Sequence, residues 1–239
     1  MTIDTGSGGA LARSQTQGGA EGLRERNKRD KSERIFEVAT RLFAEHGYGR
    51  VTTQQIAEAA EVGTGTLFRY VGSKAELLVK VMNERLRLGT EQGIELARQG
   101  VSPTDAILAM LAPLGTESLA HPENSIVYQR ETLFGSGPHS DLAAQRVSQV
   151  EDAIRTVLQL HVDRAGGPRT PDLADVAHVI YATVYMDLVR VGVGRASVAD
   201  LPGQIRHSIG FLVENLVPST PDLRATSPIL SGAADKGPR

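Results

Sequence analysis

The fold is decided by residues 51–74, which read VTTQQIAEAAEVGTGTLFRYVGSK. Two short helical patterns lie on either side of a break that contains glycine. Thr52 has the position of an N-cap and Gln55 that of its capping-box partner, which predicts a first helix over about residues 53–60. A second helix is predicted over about residues 64–71. Helices this short are unstable alone and need neighbours to pack against.

Longer helices are predicted on both sides of this pair. Asp30 as an N-cap, followed by an apolar stripe, predicts a helix over about residues 31–46, ended by the HGYG sequence at 46–49. Ser73 and Glu76 form a second capping-box pattern, which predicts a long helix that runs towards residue 99. Two short helices joined by a tight turn and braced by a longer helix form a helix-turn-helix, which presents one helix to the major groove of DNA.

The outward-facing residues of this segment fall into two chemical groups. The first group can donate hydrogen bonds to phosphate and comprises Thr52, Thr53, Tyr70 and Lys74. The second group has short or planar side chains able to reach base edges and comprises Gln54, Thr64 and Thr66. Gly65 lets the backbone approach its target closely. Both groups suit a surface that binds duplex DNA.

The same segment resembles the TetR family of bacterial transcriptional repressors. The resemblance lies in RIFEVATRLFAEHGY at 34–48 and TTQQIAEAAEVGTGTLFRYVGSKAELL at 52–78, followed by an all-helical region of the expected length. It implies phosphate contacts by the first group above, base contacts by the second group and Gly65, and a place for Arg69 nearby. It also implies a homodimer on a palindromic operator, released by an unidentified small molecule.

Several positions depart from the family pattern. Glu61 stands where the family usually has glycine in the turn, so we expect a mildly strained left-handed residue there, at a cost of roughly 1 kcal/mol. Gly63 replaces the usual serine cap and brings no side-chain acceptor. Phe68 replaces a common tyrosine, and Thr64 a frequent lysine. These changes remove a hydroxyl and a charge from the predicted DNA surface.

A basic arm precedes the first predicted helix. Residues 24–34, RERNKRDKSER, hold six Arg and Lys against three acidic residues. Across residues 24–74 the count is ten basic against seven acidic residues, whereas the whole chain has a net charge of −2. The arm could lie along DNA phosphates or enter a minor groove, or it could be a solvated helix start. The pattern leaves both interpretations open.

Composition sets the broad class of protein. The chain has 239 residues, 40% of them hydrophobic, which suits one ordinary domain or two small ones. It has no cysteine, so disulfides, thiolate zinc sites and cysteine nucleophiles are excluded. No apolar run of about 18 residues and no signal-peptide pattern occur. We therefore expect a soluble, cytoplasmic protein that does not contact membranes.

The domain organisation follows from helical periodicity and from the tails. Nearly every segment between the tails has helical spacing of apolar residues, which predicts an all-α fold. Residues 24–76 are predicted to form the helix-turn-helix domain and residues 77–217 an all-helical ligand-binding and dimerisation domain. Residues 1–23 and 218–239, rich in Gly or in Pro, Ser and Gly, are predicted to be disordered tails.

Two helices of the second domain are predicted to form the dimer. Five helices are expected there after the long junction helix, over about residues 102–120, 122–134, 138–165, 171–194 and 197–216. The fourth contains VAHVIYATVYMDLVRVGVG, which is apolar on almost all sides, and the fifth has an apolar stripe that includes Leu212. Such faces need burial, and a second subunit can supply it.

Polar residues within the apolar second domain mark a candidate ligand pocket. His178, Tyr181 and Tyr185 share one face of the fourth helix, and Tyr128 and Arg130 interrupt the apolar sequence SIVYQRETLF. Tyr and His in a core or a dimer interface often have purely structural roles. Taken singly, each residue fits that structural role better than a ligand contact.

Other motifs do not support an enzyme. GTGT at 63–66 follows no strand and lacks the lysine of a phosphate-binding loop, and FGSGPHSD at 134–141 lacks nucleophile-elbow spacing and is expected to be a loop between helices. No His-x-x-x-His pair occurs, so no metal site is predicted. We expect a DNA-binding regulator without catalytic residues or cofactors. The alternative is an all-α enzyme or small-molecule carrier whose N-terminal cluster is structural.

Overall fold

The computed structural model describes residues 11–135, 138–166 and 172–217, which form nine helices and no strand. The predicted all-α fold is therefore confirmed for these residues. The helices are α1 (Leu11–Arg50), α2 (Thr53–Ala59), α3 (Thr64–Tyr70), α4 (Lys74–Arg98), α5 (Pro103–Ala120), α6 (Pro122–Phe134), α7 (Pro138–Ala165), α8 (Leu173–Gly192) and α9 (Leu201–Leu216).

Helix α1 begins well before its predicted start at residue 31. Residues 11–23 are helical, whereas the sequence had predicted a disordered tail over 1–23. Residues 11–50 contain no proline and many good helix formers, so the two glycines at 18 and 19 weaken this helix without ending it. Residues 1–10, and the tail predicted over 218–239, lie outside the described residues.

The end of α1 lies where the HGYG sequence predicts it. Gly47 has φ 74° and ψ 162°, which breaks the helix although hydrogen bonding continues to Arg50. A Cβ atom at Gly47 would lie 2.8 Å from Nδ1 of His121, the residue just before α6. The positive φ and this close approach together require glycine.

The caps of α2 and α4 explain the predicted starts of these helices. The Thr52 hydroxyl accepts a hydrogen bond from the Gln55 amide at 3.1 Å, and the Gln55 side chain accepts one from the Thr52 amide at 2.8 Å. The predicted capping box is therefore confirmed. The Ser73 hydroxyl caps α4 through the Glu76 amide at 3.0 Å, while the Glu76 carboxylate accepts from the Gly72 amide.

The N-terminal core is a small apolar cluster. It comprises Ile35, Ala39, Phe43, Val51, Ile56, Ala57, Ala60 and Leu67, all at most 2% exposed. Val51 and Ile56 lie on either side of the α2 cap, as the predicted hydrophobic staple requires. Burial of these residues holds α2 and α3 against α1.

Helix α4 connects the helix-turn-helix to the rest of the chain. Its first turns pack on α1, and its later turns pack on α5, α6 and α7. At Gly89 and Gly93 the backbone of α4 approaches α5 so closely that a Cβ atom would overlap α5 backbone carbonyls. A shift of α4 therefore moves both parts of the molecule together.

The later helices begin and end close to the predicted residues, except that α9 starts at Leu201 and not near 197. Helices α8 and α9 are joined by the buried carboxylate of Asp187. This carboxylate accepts hydrogen bonds from Gln204 at 2.8 Å and Ser208 at 3.1 Å. Helix α6 ends at Phe134 and helix α7 begins at Pro138, as predicted, so residues 138–141 of the expected loop belong to α7. Within the described ranges, no helix is long and apolar enough to cross a membrane.

Candidate DNA-binding and effector sites

The turn between α2 and α3 contains a strained residue at the predicted position. Glu61 has φ 53°, and it is the only non-glycine residue with a positive φ in the part of the chain that the structure describes. The amide of the next residue, Val62, donates to the Ala57 carbonyl at 2.9 Å, which closes α2. The left-handed residue reverses the chain within a short turn and directs α3 across α2.

The N-terminal ends of α2 and α3 are open to solvent. Thr52, Gln54, Thr64 and Gly65 are exposed, and Thr53 and Thr66 are partly exposed. No heavy atom lies within 4 Å of a Cβ built at Gly65, so a DNA backbone can approach there. Gly63 caps α3 without any side-chain hydrogen bond, as the sequence predicted. The amides at both helix ends add donors for an anion.

Three of the predicted DNA contacts make side-chain hydrogen bonds within their own helices. The Gln54 side chain donates to Glu58 at 2.9 Å on α2, and Arg69 donates to the Thr66 hydroxyl at 3.2 Å on α3. All four side chains are at least partly exposed, so water screens these bonds and they are weak. They pre-orient the two donors at the surface of the helix pair.

An aromatic residue on α3 is exposed beside these donors. Phe68 is 46% exposed, whereas its neighbour Leu67 is fully buried. In the sequence, Phe68 stands out only as the replacement of a common tyrosine, which does not by itself predict a DNA contact. A large apolar ring in water on a recognition helix suits contact with the methyl group of thymine. Helical spacing could have identified the exposure of Phe68, because a helix that buries Leu67 turns the next side chain towards another face.

Lys74 has a structural role in addition to its predicted DNA contact. Its Nζ donates to the carbonyl oxygens of Tyr48 at 2.8 Å and Val51 at 2.7 Å, and it lies 4.0 Å from the centroid of the Tyr48 ring. Burial lowers the pKa of this ammonium group. An ammonium has three N–H donors, so one remains for a phosphate. Tyr70, in the same predicted group, is partly buried against the core.

The start of α6 contacts the end of α1. Asn124 accepts a hydrogen bond from the Tyr48 amide at 2.6 Å and donates one to the Phe43 carbonyl at 3.0 Å. Nε2 of His121 lies 2.9 Å from the Ala44 carbonyl. These polar contacts join the C-terminal helices to the helix-turn-helix over a separation of about 80 residues in sequence.

Three of the predicted pocket residues come together in the second domain. Tyr128 is 5% exposed, and its hydroxyl donates to Oδ1 of Asn83 on α4 at 2.8 Å. The rings of Tyr181 and Tyr185 lie 6.3 Å apart. Burial is the main reason that the pKa of Tyr128 is raised, Tyr181 raises it further, and the nearby Arg146 lowers it. The tyrosine hydroxyls therefore act as hydrogen-bond donors around neutral pH.

The other two predicted pocket residues lie at the surface. Arg130 pairs with Glu131 at 2.8 Å, and its side chain is 59% exposed. His178 pairs with Glu151 at 2.9 Å and is 69% exposed. The structure brings neither into the tyrosine cluster. Arg146 of α7, in contrast, lies near enough to Tyr128 to lower its pKa. The sequence does not single out Arg146, because it lies in a polar stretch of that helix.

An open groove lies beside Arg146. It has a volume of about 420 Å³ and is formed by α1, α4 and α7. Its lining residues are Ser32, Glu33, Phe36, Lys80, Asn83, Glu84, Leu142, Gln145, Arg146 and Gln149. Asn83 faces this groove and also binds the Tyr128 hydroxyl. No group of acidic or histidine side chains that could hold a metal ion occurs in the described parts of the chain.

Comparisons with known proteins agree with this geometry. Residues 35–81 match the sequence profile described as "Bacterial regulatory proteins, tetR family". The HTH-type transcriptional repressor KstR of Mycobacterium tuberculosis is 27% identical over 195 residues, which span 82% of this chain and 84% of KstR. The HTH-type transcriptional regulator TcmR of Streptomyces glaucescens is 43% identical over 56 residues, 23% of this chain and 25% of TcmR.

A solved structure shows the same fold over most of the chain. The TetR-family repressor FadR of Thermus thermophilus, solved in complex with lauroyl-CoA, has a TM-score of 0.60 and 22% identity, and the match covers 80% of this chain and 97% of FadR. Residues 35–81, which match the family profile, contain the turn, the capping box and the recognition helix described above. Residues 35–81 thus resemble the TetR family of bacterial regulatory proteins, and most of the chain is similar in sequence to an HTH-type repressor and in fold to a TetR-family repressor.

Proposed function

We propose that this chain is a homodimeric repressor that binds a palindromic operator and is released by a small molecule bound in its C-terminal region. Residues 24–76 are the DNA-binding domain, and residues 77–217 bind the effector and form the dimer. The observation that carries this proposal is the pair of open helix ends at α2 and α3 above a closed apolar core. The relatives named as repressors support it.

The DNA contacts divide between backbone and bases. Thr52, Thr53, Tyr70 and the remaining donor of Lys74 bind phosphate, together with the free amides at the start of α2. Base edges are read from Gln54, Thr64, Gly65 and Thr66, with Arg69 beside them. Phe68 joins this second group because its exposed ring suits a thymine methyl group.

The dimer forms through the exposed apolar surface of α8 and α9. Val179, Met186 and Phe211 are 41%, 55% and 57% exposed in the single chain. Large apolar side chains this exposed on two adjacent helices favour burial against a second copy. Leu212, in contrast, is already partly buried within its own chain. The interface therefore depends on Met186 and Phe211 more than on Leu212.

Release works through α6 and α4. On α6, Tyr128 at the tyrosine cluster and Asn124 at the end of α1 are four residues apart, which is about one helical turn. On α4, Asn83 receives the Tyr128 hydrogen bond, and Lys74 holds the carbonyls of Tyr48 and Val51. A ligand that shifts Tyr128 moves both connections to the DNA-binding domain. The two DNA-binding domains of the dimer can then no longer contact both half-sites of the operator at once.

Fluorescence anisotropy with the DNA upstream of the chain's own gene tests this function. The expected result is binding that is tighter than to random duplex and weakens steeply with salt. The matched control is a Thr64→Val, Gln54→Ala double variant, which should keep its fold and lose the preference for the specific duplex. An all-α enzyme or carrier would bind both duplexes equally weakly, and that result would reject the repressor.

A further inference from the structure

Two buried polar atoms near the tyrosine cluster have no hydrogen-bond partner. They are Nε of Arg146 on α7 and the hydroxyl of Tyr185 on α8, and they are the only two such side-chain atoms among the described residues. Buried polar groups in folded proteins are nearly always paired, so an unpaired atom calls for an explanation. A bound molecule that supplies the missing partners is one such explanation.

The two residues that carry these atoms both lie near Tyr128. Arg146 and Tyr185 each lie close enough to Tyr128 to influence its ionisation. Tyr128 itself is satisfied, because its hydroxyl donates to Asn83. The two unpaired atoms therefore lie in the same part of the molecule, one on α7 and one on α8.

Arg146 and Asn83 also line the groove formed by α1, α4 and α7. Its volume of about 420 Å³ is within the range of small-molecule sites. Phe36 and Leu142 contribute apolar surface to the lining. The groove thus presents a guanidinium beside apolar surface to a molecule that enters it.

The charge of Arg146 is only partly balanced by its neighbours. Glu84 is its nearby carboxylate, but both oxygens of Glu84 already accept hydrogen bonds from Arg87, at 2.7 and 2.9 Å. Lys80, also in the lining, pairs with Glu76 at 2.8 Å. The other carboxylate of the groove, Glu33, is exposed on α1. An anion that enters the groove can therefore contact Arg146, because the nearby Glu84 carboxylate is already hydrogen-bonded to Arg87.

We propose that Arg146 binds the anionic head of an amphipathic effector, a carboxylate or a phosphate carried on an apolar body. The guanidinium binds either head through paired N–H donors. The Tyr185 hydroxyl donates to a polar atom nearer the other end of the molecule. The effector also contacts Phe36 of α1, so its binding acts directly on a helix of the DNA-binding domain. The regulatory consequence rests on the proposed repressor function, whereas the binding site does not.

Titration calorimetry without DNA tests the site. The probes are decanoate, decanoyl-CoA and the neutral 1-decanol, which share an apolar chain and differ in the head group. Wild-type protein should bind at least one of the two anions at least tenfold more tightly than decanol, and this preference should shrink as salt is added. A carboxylate head is indicated when decanoate is the tighter ligand, and a phosphate head when decanoyl-CoA is.

Three variants assign the effect to the proposed atoms. Arg146→Met should reduce anion affinity at least tenfold and leave decanol binding unchanged, and Arg146→Lys should recover part of the loss. Tyr185→Phe should also reduce the affinity for that anion, but by a smaller factor than Arg146→Met does. Arg155→Met is the matched control, because Arg155 lies on the same helix, is 48% exposed and pairs with Asp152. Circular dichroism melting verifies that each variant is folded.

The proposal is overturned if neither anion binds more tightly than decanol to the wild-type protein, a comparison that needs no variant. It is equally overturned if a folded Arg146→Met protein binds the anions as the wild type does. Operator binding is measured separately by anisotropy. Anion binding without release of the operator would leave the Arg146 site standing and reject the release mechanism.

Discussion

The side-chain amide of Asn124 on α6 makes two hydrogen bonds to the end of α1, one through its oxygen and one through its nitrogen. Its Oδ1 accepts the Tyr48 amide at 2.6 Å, and its Nδ2 donates to the Phe43 carbonyl at 3.0 Å. Asn124 is fully buried, so water cannot replace these bonds. The same helix carries Tyr128 one turn later, where the hydroxyl meets α4. One rigid turn of helix therefore joins the tyrosine cluster to the DNA-binding domain.

Replacement of this asparagine should weaken both stability and coupling. Asn124→Ala leaves a buried backbone amide and a carbonyl without partners, so the free energy of unfolding should fall by about 2 kcal/mol or more. Denaturant titration measures the change. Asn27→Ala is the control, because Asn27 is exposed on α1 and should change stability by less than about 0.5 kcal/mol. Equal stability of the two variants would contradict a structural role for the Asn124 contacts.

The exposed ring of Phe68 should contribute to sequence preference. Phe68→Ala should lower affinity for the operator about tenfold, roughly 1.4 kcal/mol, while binding to random duplex stays nearly unchanged. Stability should change little, because 46% of the residue is already in water. Leu88→Ala on α4, also an exposed apolar residue at 52%, should alter neither quantity. An equal loss of affinity for operator and random duplex would show that Phe68 contacts DNA without contributing to sequence preference.

Helix positions were predictable where local chemistry defines them. The Thr52 and Ser73 caps, the glycine at 47 and the prolines that open α5, α6 and α7 each act within one turn of the chain, and the helices begin or end there. The left-handed turn at Glu61 followed from comparison of one residue with a family pattern. The start of α1 was missed, because residues 11–30 contain few apolar residues and these form no stripe that would indicate a helix.

The double role of Lys74 predicts two separable effects. Lys74→Met keeps an apolar stem beside Tyr48 but removes the hydrogen bonds to the Tyr48 and Val51 carbonyls. The free energy of unfolding should fall by about 1–3 kcal/mol, and the slope of log affinity against log salt should decrease by about one. Lys74→Arg should preserve the slope. An unchanged slope with reduced stability would leave Lys74 only its structural role.

The strained turn offers a test of local energetics. Glu61→Gly relieves a left-handed conformation worth about 1–2 kcal/mol, and greater freedom of the unfolded chain offsets about 0.5–1 kcal/mol of that gain. The variant should therefore be slightly more stable, whereas Glu61→Val should be clearly less stable, because a β-branched residue resists positive φ. Glu37→Val, exposed within regular α1, removes the same charge without the turn. Its unfolding curve shows how much of the Glu61→Val loss belongs to the turn.

The candidate effector site was only partly predictable, because some of its residues have surroundings that come from distant parts of the sequence. Tyr128, Tyr181 and Tyr185 were identified because polar groups on apolar helices stand out in sequence. Arg146 was not, because its surroundings come from α4, α6 and α8, and no local pattern on α7 distinguishes it from Arg155. The same applies to Asn124, whose partners lie 76 and 81 residues away in the chain. Such contacts are fixed by tertiary packing and carry no periodic signature.

The exposed apolar surface of α8 and α9 predicts how the dimer can be broken. Met186 and Phe211 lie on neighbouring helices and are 55% and 57% exposed, so a charge at either position is harmless in a monomer and costly in an interface. Phe211→Glu should therefore remain folded and sediment as a monomer at concentrations where the wild type is a dimer. Leu212→Arg is a less clear test, because Leu212 packs partly against its own core and its replacement also damages the monomer.

Loss of the dimer should then appear in DNA binding, although no residue of the DNA-binding domain is changed. A monomer reaches one half-site of a palindrome, so the affinity of Phe211→Glu for the full operator should fall to about that for an isolated half-site. Leu88→Glu on α4 is the matched control, since Leu88 is 52% exposed and lies outside α8 and α9. It should sediment and bind as the wild type does. A Phe211→Glu protein that remains dimeric and binds its operator normally would place the interface on another surface.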